Sequence, residues 1–438
     1  MGLASRLFKG DRVIWGVFMF LCLVSIVEVF SASSTLAYKS DNYWDPISTH
    51  ATYLLMGFIF ILLLHNVPYK MFVAAGILGL PVSFVLLLLT PFIGIEINGE
   101  PRWMSFFGVF NFQPSEIAKL CAVCYMALIL SWREMLTEKQ MFWSILIGVG
   151  IVFLLIFSFN GSTALLLFGV MVMMMFIGQI AFKRIARLLG VCIGSVALLF
   201  SLLYFSPQTV VEHLPERFGT WKNRIERFVN KSDRLDVSDG KTLKLDDEHY
   251  QEDLARIAIA QGGVYGKLPG HGQQRDFLPQ AYSDFIYAII IEETGLIGGF
   301  FVLFLYIVLM IRVAMIARKC DRLFPKYLIL GCGLMIVTQA LVNMAVAVGV
   351  FPVTGQPLPL ISRGGTSTII SCFYIGIILS VSRFGANIGN EADDFPEEEQ
   401  PEAETALAGV SQEEINNWVP GLEANLPESP ANPAKPHD

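Results

Sequence analysis

The chain is 438 residues long, 54% hydrophobic and only 16% charged, with a mean hydropathy of +0.56. This composition excludes an ordinary soluble domain and requires a polytopic membrane protein. The formal net charge of −7 misleads, because residues 391–438 are rich in Glu, Asp and Pro with almost no basic residues, and the body without them is mildly basic.

Apolar windows long enough to cross about 30 Å of hydrocarbon occur at 13–33, 51–68, 72–93, 114–132, 142–159, 162–182, 186–205, 284–311, 324–350 and 360–382. The first is too long for a signal-peptide core, and Phe30-Ser31-Ala32-Ser33 offers no clear cleavage pattern, so no cleavable leader is expected. Lys and Arg set the orientation. Arg6, Lys9, Arg12, Lys70, Arg133, Lys139, Lys183, Arg184, Arg187, Arg312, Arg318, Lys319, Arg322, Lys326 and Arg383 fall on one side, and Lys39, Arg102 and Arg363 on the other. The expected fold is therefore an all-α polytopic membrane protein of about ten transmembrane helices with both termini cytoplasmic. Residues 1–12 form the cytoplasmic amino terminus and 13–385 the ten-helix domain. A large extracytoplasmic loop, 206–283, separates helices 7 and 8. Residues 386–438 read as a disordered acidic cytoplasmic tail.

None of the seven cysteines lies in the large outer loop, so disulfides are not expected. Cys121 and Cys124 have metal-like spacing, but they stand mid-helix without a second pair and read as packing residues. No His spacing suggests zinc.

The loop before the fourth span reads Asn98-Gly99-Glu100-Pro101-Arg102-Trp103, then Phe112-Gln113-Pro114-Ser115-Glu116 and Lys119. Pro114 suits a first helical position. Trp103 beside Arg102 reads as an interfacial anchor. Glu116 and Lys119, three apart, share a helix face. They either neutralise each other or line a wet cavity that holds a phosphate. The cavity is the preferred reading, because a lipid-facing helix gains nothing from such a pair.

In the large loop, Arg217, Lys222, Arg224 and Arg227 are interleaved with Phe218, Trp221 and Phe228. An extracytoplasmic patch at a membrane surface suits anionic headgroups or a pyrophosphate rather than nucleic acid. An amphipathic interfacial helix with snorkelling basic residues is equally consistent. Residues 252–270 suggest an amphipathic helix ending at Gly262-Gly263. Gly262-Gly263-x-x-Gly266 lacks a preceding strand and a Gly-Lys-Ser/Thr, so no nucleotide is expected.

Tyr282-Ser283-Asp284-Phe285 places a carboxylate one step inside the eighth window. Ionisable groups at that depth mark function by default, although a carboxylate can also cap a helix start. Glu292 and Glu293 lie eight and nine residues further along, about 12–13 Å deeper. That is too far for a paired-carboxylate site with Asp284. Partners on other helices are expected to satisfy these acids, and Lys119 is a candidate for either Glu116 or one of them. The last outer loop, Phe351 to Ser367, is dense in Pro and Gly, and such backbone at membrane depth lines protein or a cavity. With Asn343, Ser362, Gly364 and Gly365 it forms a third wall of one outward-facing site, into which Arg363 would point a cation.

Three separated motifs carry a resemblance: Asn98–Trp103 with Phe110–Leu120, Ala281–Gly298, and Phe351–Ser367. Together they resemble the SEDS family (shape, elongation, division and sporulation: FtsW, RodA and SpoVE) over about residues 11–385. The resemblance implies a peptidoglycan glycosyltransferase in the bacterial plasma membrane that polymerises lipid II, works with a class B penicillin-binding protein, and meets other division proteins. The acidic tail favours the septal division branch over the elongation branch. Asp284 takes the place of the family's essential Asp, and Arg102, Trp103, Glu116 and Lys119 match its third-to-fourth-span motif. Gln280, Arg363 and Phe159-Asn160-Gly161-Ser162-Thr163 depart from the usual residues. An inverting transfer needs one base, for which Asp284 is the candidate, and positive charge at the leaving pyrophosphate. Arg102, Arg217, Arg224 or a divalent cation such as Mg2+ could supply that charge. A lipid II transporter and a recruiting scaffold are the rival readings.

Overall fold

The computed structural model describes residues 8–33, 44–97, 100–106, 110–205 and 250–385. Arg217, Arg224 and the acidic tail lie outside the described residues. Twelve helices are described. They are α1 (Arg12–Ala32), α2 (Asp45–Leu64), α3 (Phe72–Ile77), α4 (Gly79–Ile93), α5 (Pro114–Ser131), α6 (Glu138–Phe159), α7 (Gly161–Ile177), α8 (Phe182–Phe205), α9 (Tyr250–Gly262), α10 (Ile286–Lys319), α11 (Leu323–Ala347) and α12 (Thr366–Phe384). Seven are long and apolar enough to cross a membrane, or eight if α3 and α4, bent by 43°, count as one span. The bend has a cause in the sequence. Pro81 has no N–H to offer the carbonyl four residues earlier, and its ring crowds that carbonyl, so the helix restarts at Gly79.

Helix starts follow local chemistry. Asp11 caps α1 by accepting from the N–H groups of Val13 and Ile14, Thr137 and Gln140 form a capping box on α6, and Asn160 caps α7. Pro114 opens α5 as expected. An all-α reading needs one correction. Ile95–Ile97, Glu100–Phe106 and Phe110–Phe112 form an antiparallel meander, β1-β2-β3, with Ile95 opposite Trp103 and Met104 opposite Phe112. Alternating apolar residues between Gly and Pro suit short strands, a pattern that the length of the flanking spans hides.

The eighth span also differs from expectation. It begins at Ile286, two residues after Asp284, and is broken at Gly295, where φ is 74°. The segment after α9 enters that break. Lys267 and Leu268 donate backbone N–H groups to the carbonyls of Glu292 and Glu293, and Leu296 donates to the carbonyl of Gly263. This explains the glycine punctuation that the sequence presents as a turn: a β-carbon on Gly266 (φ +76°) would lie 2.3 Å from the Glu293 carbonyl. Gly266→Ala combines left-handed strain of about 1–2 kcal/mol with that overlap. We expect a lower thermal midpoint in detergent, and an unchanged midpoint would refute the close approach.

The buried acids are held mostly by this strap, with one partner, Ser31, supplied by another helix, α1. Glu292 accepts from the backbone N–H groups of Gln273 (2.9 Å) and Gln274 and from Lys267 Nζ (3.2 Å). Glu293 accepts from Ser31 Oγ at 2.5 Å, and Arg275 lies 3.7 Å away. Arg275 also donates to Ser31 Oγ at 2.7 Å. Of the two expected partners of Lys119, the structure selects Glu116 and not these acids.

Candidate functional site

Asp284 sits half-buried in the turn ahead of α10, not inside the span. Its side chain does not cap the helix, whose cap position is Phe285 without a side-chain bond. Instead Asp284 Oδ1 accepts from Ser283 Oγ at 3.0 Å. The turn is tight because the carbonyl of Gln280, whose φ is 60°, accepts from the N–H groups of Ser283 and Asp284. Burial raises the Asp284 pKa above the ordinary carboxylate range, and the Ser283 hydrogen bond opposes the rise.

The Pro- and Gly-rich last loop closes on this turn as one network. Ser362 Oγ donates to the Ser283 carbonyl at 2.5 Å and accepts from the Leu358 N–H at 2.7 Å. The Arg363 N–H donates to the Tyr282 carbonyl at 2.9 Å. Asn343 Nδ2 donates to the carbonyls of Asp284 and Gln356, both at 2.8 Å. Gly355, with φ +65°, faces the carboxylate closely enough that a β-carbon would lie 3.7 Å from Asp284 Oδ2. Asn343 and Ser362 are thus positioning groups for the turn and loop, and Gly365 (φ +54°) lets the chain swing into α12. Gly364 leaves room for Ser367, whose Cβ a side chain there would meet at 3.2 Å.

Behind the loop stands a second layer. Lys119 Nζ lies 2.7 Å from Glu116 Oε1 and donates to Gln339 Oε1 at 3.2 Å, while Gln339 Nε2 donates to the Pro357 carbonyl at 3.0 Å. Lys119 is 0% exposed and Glu116 4%. The pair therefore does not line an open cavity but forms a buried strut from α5 through α11 to the loop. Lys119 has room for a charge there only because Glu116 and Gln339 replace its water. Ser25 Oγ donates to the Ile361 carbonyl at 2.7 Å and contacts His50 Nε2 at 2.7 Å, and Tyr306 donates to the Pro359 carbonyl.

Arg363 is half-buried over the Tyr282 ring, its guanidinium 5.8 Å from the centroid, and burial lowers its pKa without removing its charge. Trp103 is half-buried in β2, and Arg102 lies on the same strand. Sequence reasoning missed Gln339, Ser25, His50, Gly355 and Arg256. Gln339 carried a signal: it stands four residues before Asn343 in an apolar helix, so both polar side chains share one face. Arg256 on α9 lies over Gly349, where a β-carbon would come within 2.8 Å of its guanidinium. Among the described residues, no group of three His, Cys, Asp or Glu side chains converges to hold a metal.

The arrangement defines a class: a helical membrane domain that presents one carboxylate on a turn clamped by polar loop backbone. A profile of the Cell cycle protein family (FtsW, RodA and SpoVE) matches residues 11–387. The chain belongs to that family, and it is a multi-pass membrane protein. It is 32% identical to the probable peptidoglycan glycosyltransferase FtsW of Hahella chejuensis, over 88% of this chain and 93% of that one. It is 31% identical to the protein of the same name from Trichlorobacter lovleyi, over 86% and 94%. Among solved structures, the fold is similar to a chain of a peptidoglycan synthase complex that coordinates polymerization and crosslinking (TM-score 0.64, 23% identity, 86% of this chain and 98% of that one). It is also similar to the rod shape determining protein RodA of Thermus thermophilus (TM-score 0.59, 22% identity, 87% and 99%).

Proposed function

We propose that this chain is a peptidoglycan glycosyltransferase that polymerises lipid II into β-1,4 glycan strands for septal wall synthesis, with Asp284 as the general base. The observation that carries the reading is a single half-buried carboxylate at the membrane–water boundary, held by the Ser283, Asn343 and Ser362 network, in a chain whose relatives bear that enzyme's name. The chain sits in the bacterial inner membrane with ten spans, both termini cytoplasmic and the 206–283 loop outside, which follows from the Lys and Arg distribution.

Asp284 takes the proton of the acceptor hydroxyl as that oxygen attacks carbon one of the donor sugar. The α-linked pyrophosphate departs from the opposite face, and the new linkage is β. Cations stabilise the departing charge: Arg102, Arg217 and Arg224 are our candidates from the sequence, and Arg363 and Arg256 are added by position. Trp103 rests at the lipid boundary, and Glu116 and Lys119 support the site from behind rather than touching substrate. A class B penicillin-binding protein is the partner, and other division proteins dock through exposed surfaces. A transport route through the buried acids is disfavoured, because Glu116 pairs with Lys119, the strap occupies Glu292, and Ser31 occupies Glu293. The direct test is gel analysis of glycan chains made from purified labelled lipid II by the full-length protein with its cognate partner. Chain products are expected. Translocation of lipid II in liposomes, with no polymer in the gel, would overturn the reading.

A further inference from the structure

A second built site lies at the opposite end of the bundle, where the start of α1 meets the ends of α10 and α12. A cavity of about 260 Å³ opens there, bordered by Arg312, Lys319 and Arg383. Among the described residues, Asp11 is the one carboxylate on its wall, which leaves an excess of two positive charges (three cations against one anion). The walls are fixed before any ligand arrives. Arg312 donates from Nε to Asp11 Oδ2 at 2.7 Å, and its Nη2 lies 2.6 Å from the same oxygen. Asp11 is itself held as the α1 cap, and its N–H donates to Ser382 Oγ at 3.0 Å. Arg383 is anchored by Asn66 Oδ1 at 2.7 Å and by the Phe384 ring. Lys319 is exposed and, among the described residues, forms no hydrogen bond or ion pair. Gly10 (φ +97°) keeps the floor clear, since a β-carbon there would lie 2.9 Å from Ser382 Oγ.

An apolar track runs into this cavity. Phe304, Ile307, Ile311 and Met315 are 58%, 44%, 56% and 46% exposed. Their spacing of three or four residues puts them on one face of α10, and Met315 borders the cavity itself. A free phosphate ion would use the cations and leave the track without a role. A diacyl lipid uses both.

We propose that this cavity binds the phosphate of an anionic glycerophospholipid whose acyl chains lie along the exposed face of α10. Planar guanidinium groups and an ammonium suit phosphate oxygens. Under the orientation given above, the site faces the cytoplasmic leaflet, where basic pockets between helices take acidic headgroups. The proposal does not depend on the glycosyltransferase reading, because its test measures binding.

The experiment is native mass spectrometry of the full-length protein in detergent, titrated with phosphatidylglycerol, cardiolipin or zwitterionic phosphatidylethanolamine. The wild type should retain phosphatidylglycerol or cardiolipin adducts over phosphatidylethanolamine. Lys319→Gln with Arg383→Gln should lower that retention at least about tenfold, while Lys139→Gln with Lys183→Gln, equal in charge change and on helices that do not border the cavity, should leave it intact. Thermal midpoints of both variants are compared with wild type, so that loss of fold is seen separately. Should the Lys319/Arg383 variant unfold, Lys319→Gln alone, which removes no observed contact, must still lower retention. Equal retention in the cavity variants, equal loss in the control pair, or displacement of the lipid by millimolar inorganic phosphate would each overturn the proposal.

Discussion

Replacing Asp284 by Asn lowers lipid II polymerisation by at least about a hundredfold, the usual contribution of a positioned general base, while membrane insertion and thermal midpoint stay near wild type. Asn keeps the size of the side chain and can still bond to Ser283 Oγ, so the loss isolates proton acceptance. The pH profile gives the same group a second, independent signature. A base must be ionised, so activity falls as pH drops through its pKa. Burial raises that pKa, and the acid limb of kcat/KM therefore lies above the ordinary Asp value of about 3.9. Ser283→Ala removes the hydrogen bond that stabilises the ionised form and should move the limb to still higher pH. Polymer yield from Asp284→Asn equal to wild type, or a limb that moves down in Ser283→Ala, would remove Asp284 from the role.

The second large effect is at Lys119. Lys119→Met leaves the Glu116 carboxylate buried with no countercharge, and Gln339 loses the donor that orients it toward Pro357. Breaking a buried pair from one side destabilises by about 3–5 kcal/mol, and the loop over Asp284 loosens with it. The double variant Glu116→Leu/Lys119→Met removes both charges together and should regain most of the thermal midpoint. Polymerisation in that double variant then separates two roles. Recovery with the fold assigns the pair to support, whereas an inactive but stable double variant assigns Lys119 to substrate contact. A Lys119→Met midpoint equal to wild type would refute the strut altogether.

The departures from the family pattern gain a physical meaning from these contacts. Asn160 caps α7, accepting from the Thr163 N–H at 3.2 Å, so a short polar residue suffices at that place. Gln280 contributes its left-handed backbone and carbonyl to the turn that presents Asp284. Arg363 uses its backbone N–H to clamp Tyr282, and its cation lies over that residue's ring.

By itself the sequence determined the membrane class, most span positions, the start of α5 at Pro114, the end of α9 at Gly262 and the prominence of Asp284. These rest on quantities that sum over neighbouring residues: hydropathy, charge bias and capping chemistry. Only the tertiary structure decided that Glu116 and Lys119 form a sealed strut, that Glu292 and Glu293 answer to Lys267 and Arg275, and that Asp284 stands free of the helix cap. Those outcomes depend on groups far apart in the chain, such as Lys119 and Gln339, which are 220 positions apart. Which distant partner reaches a buried charge first is settled by packing, and local pattern carries no record of it.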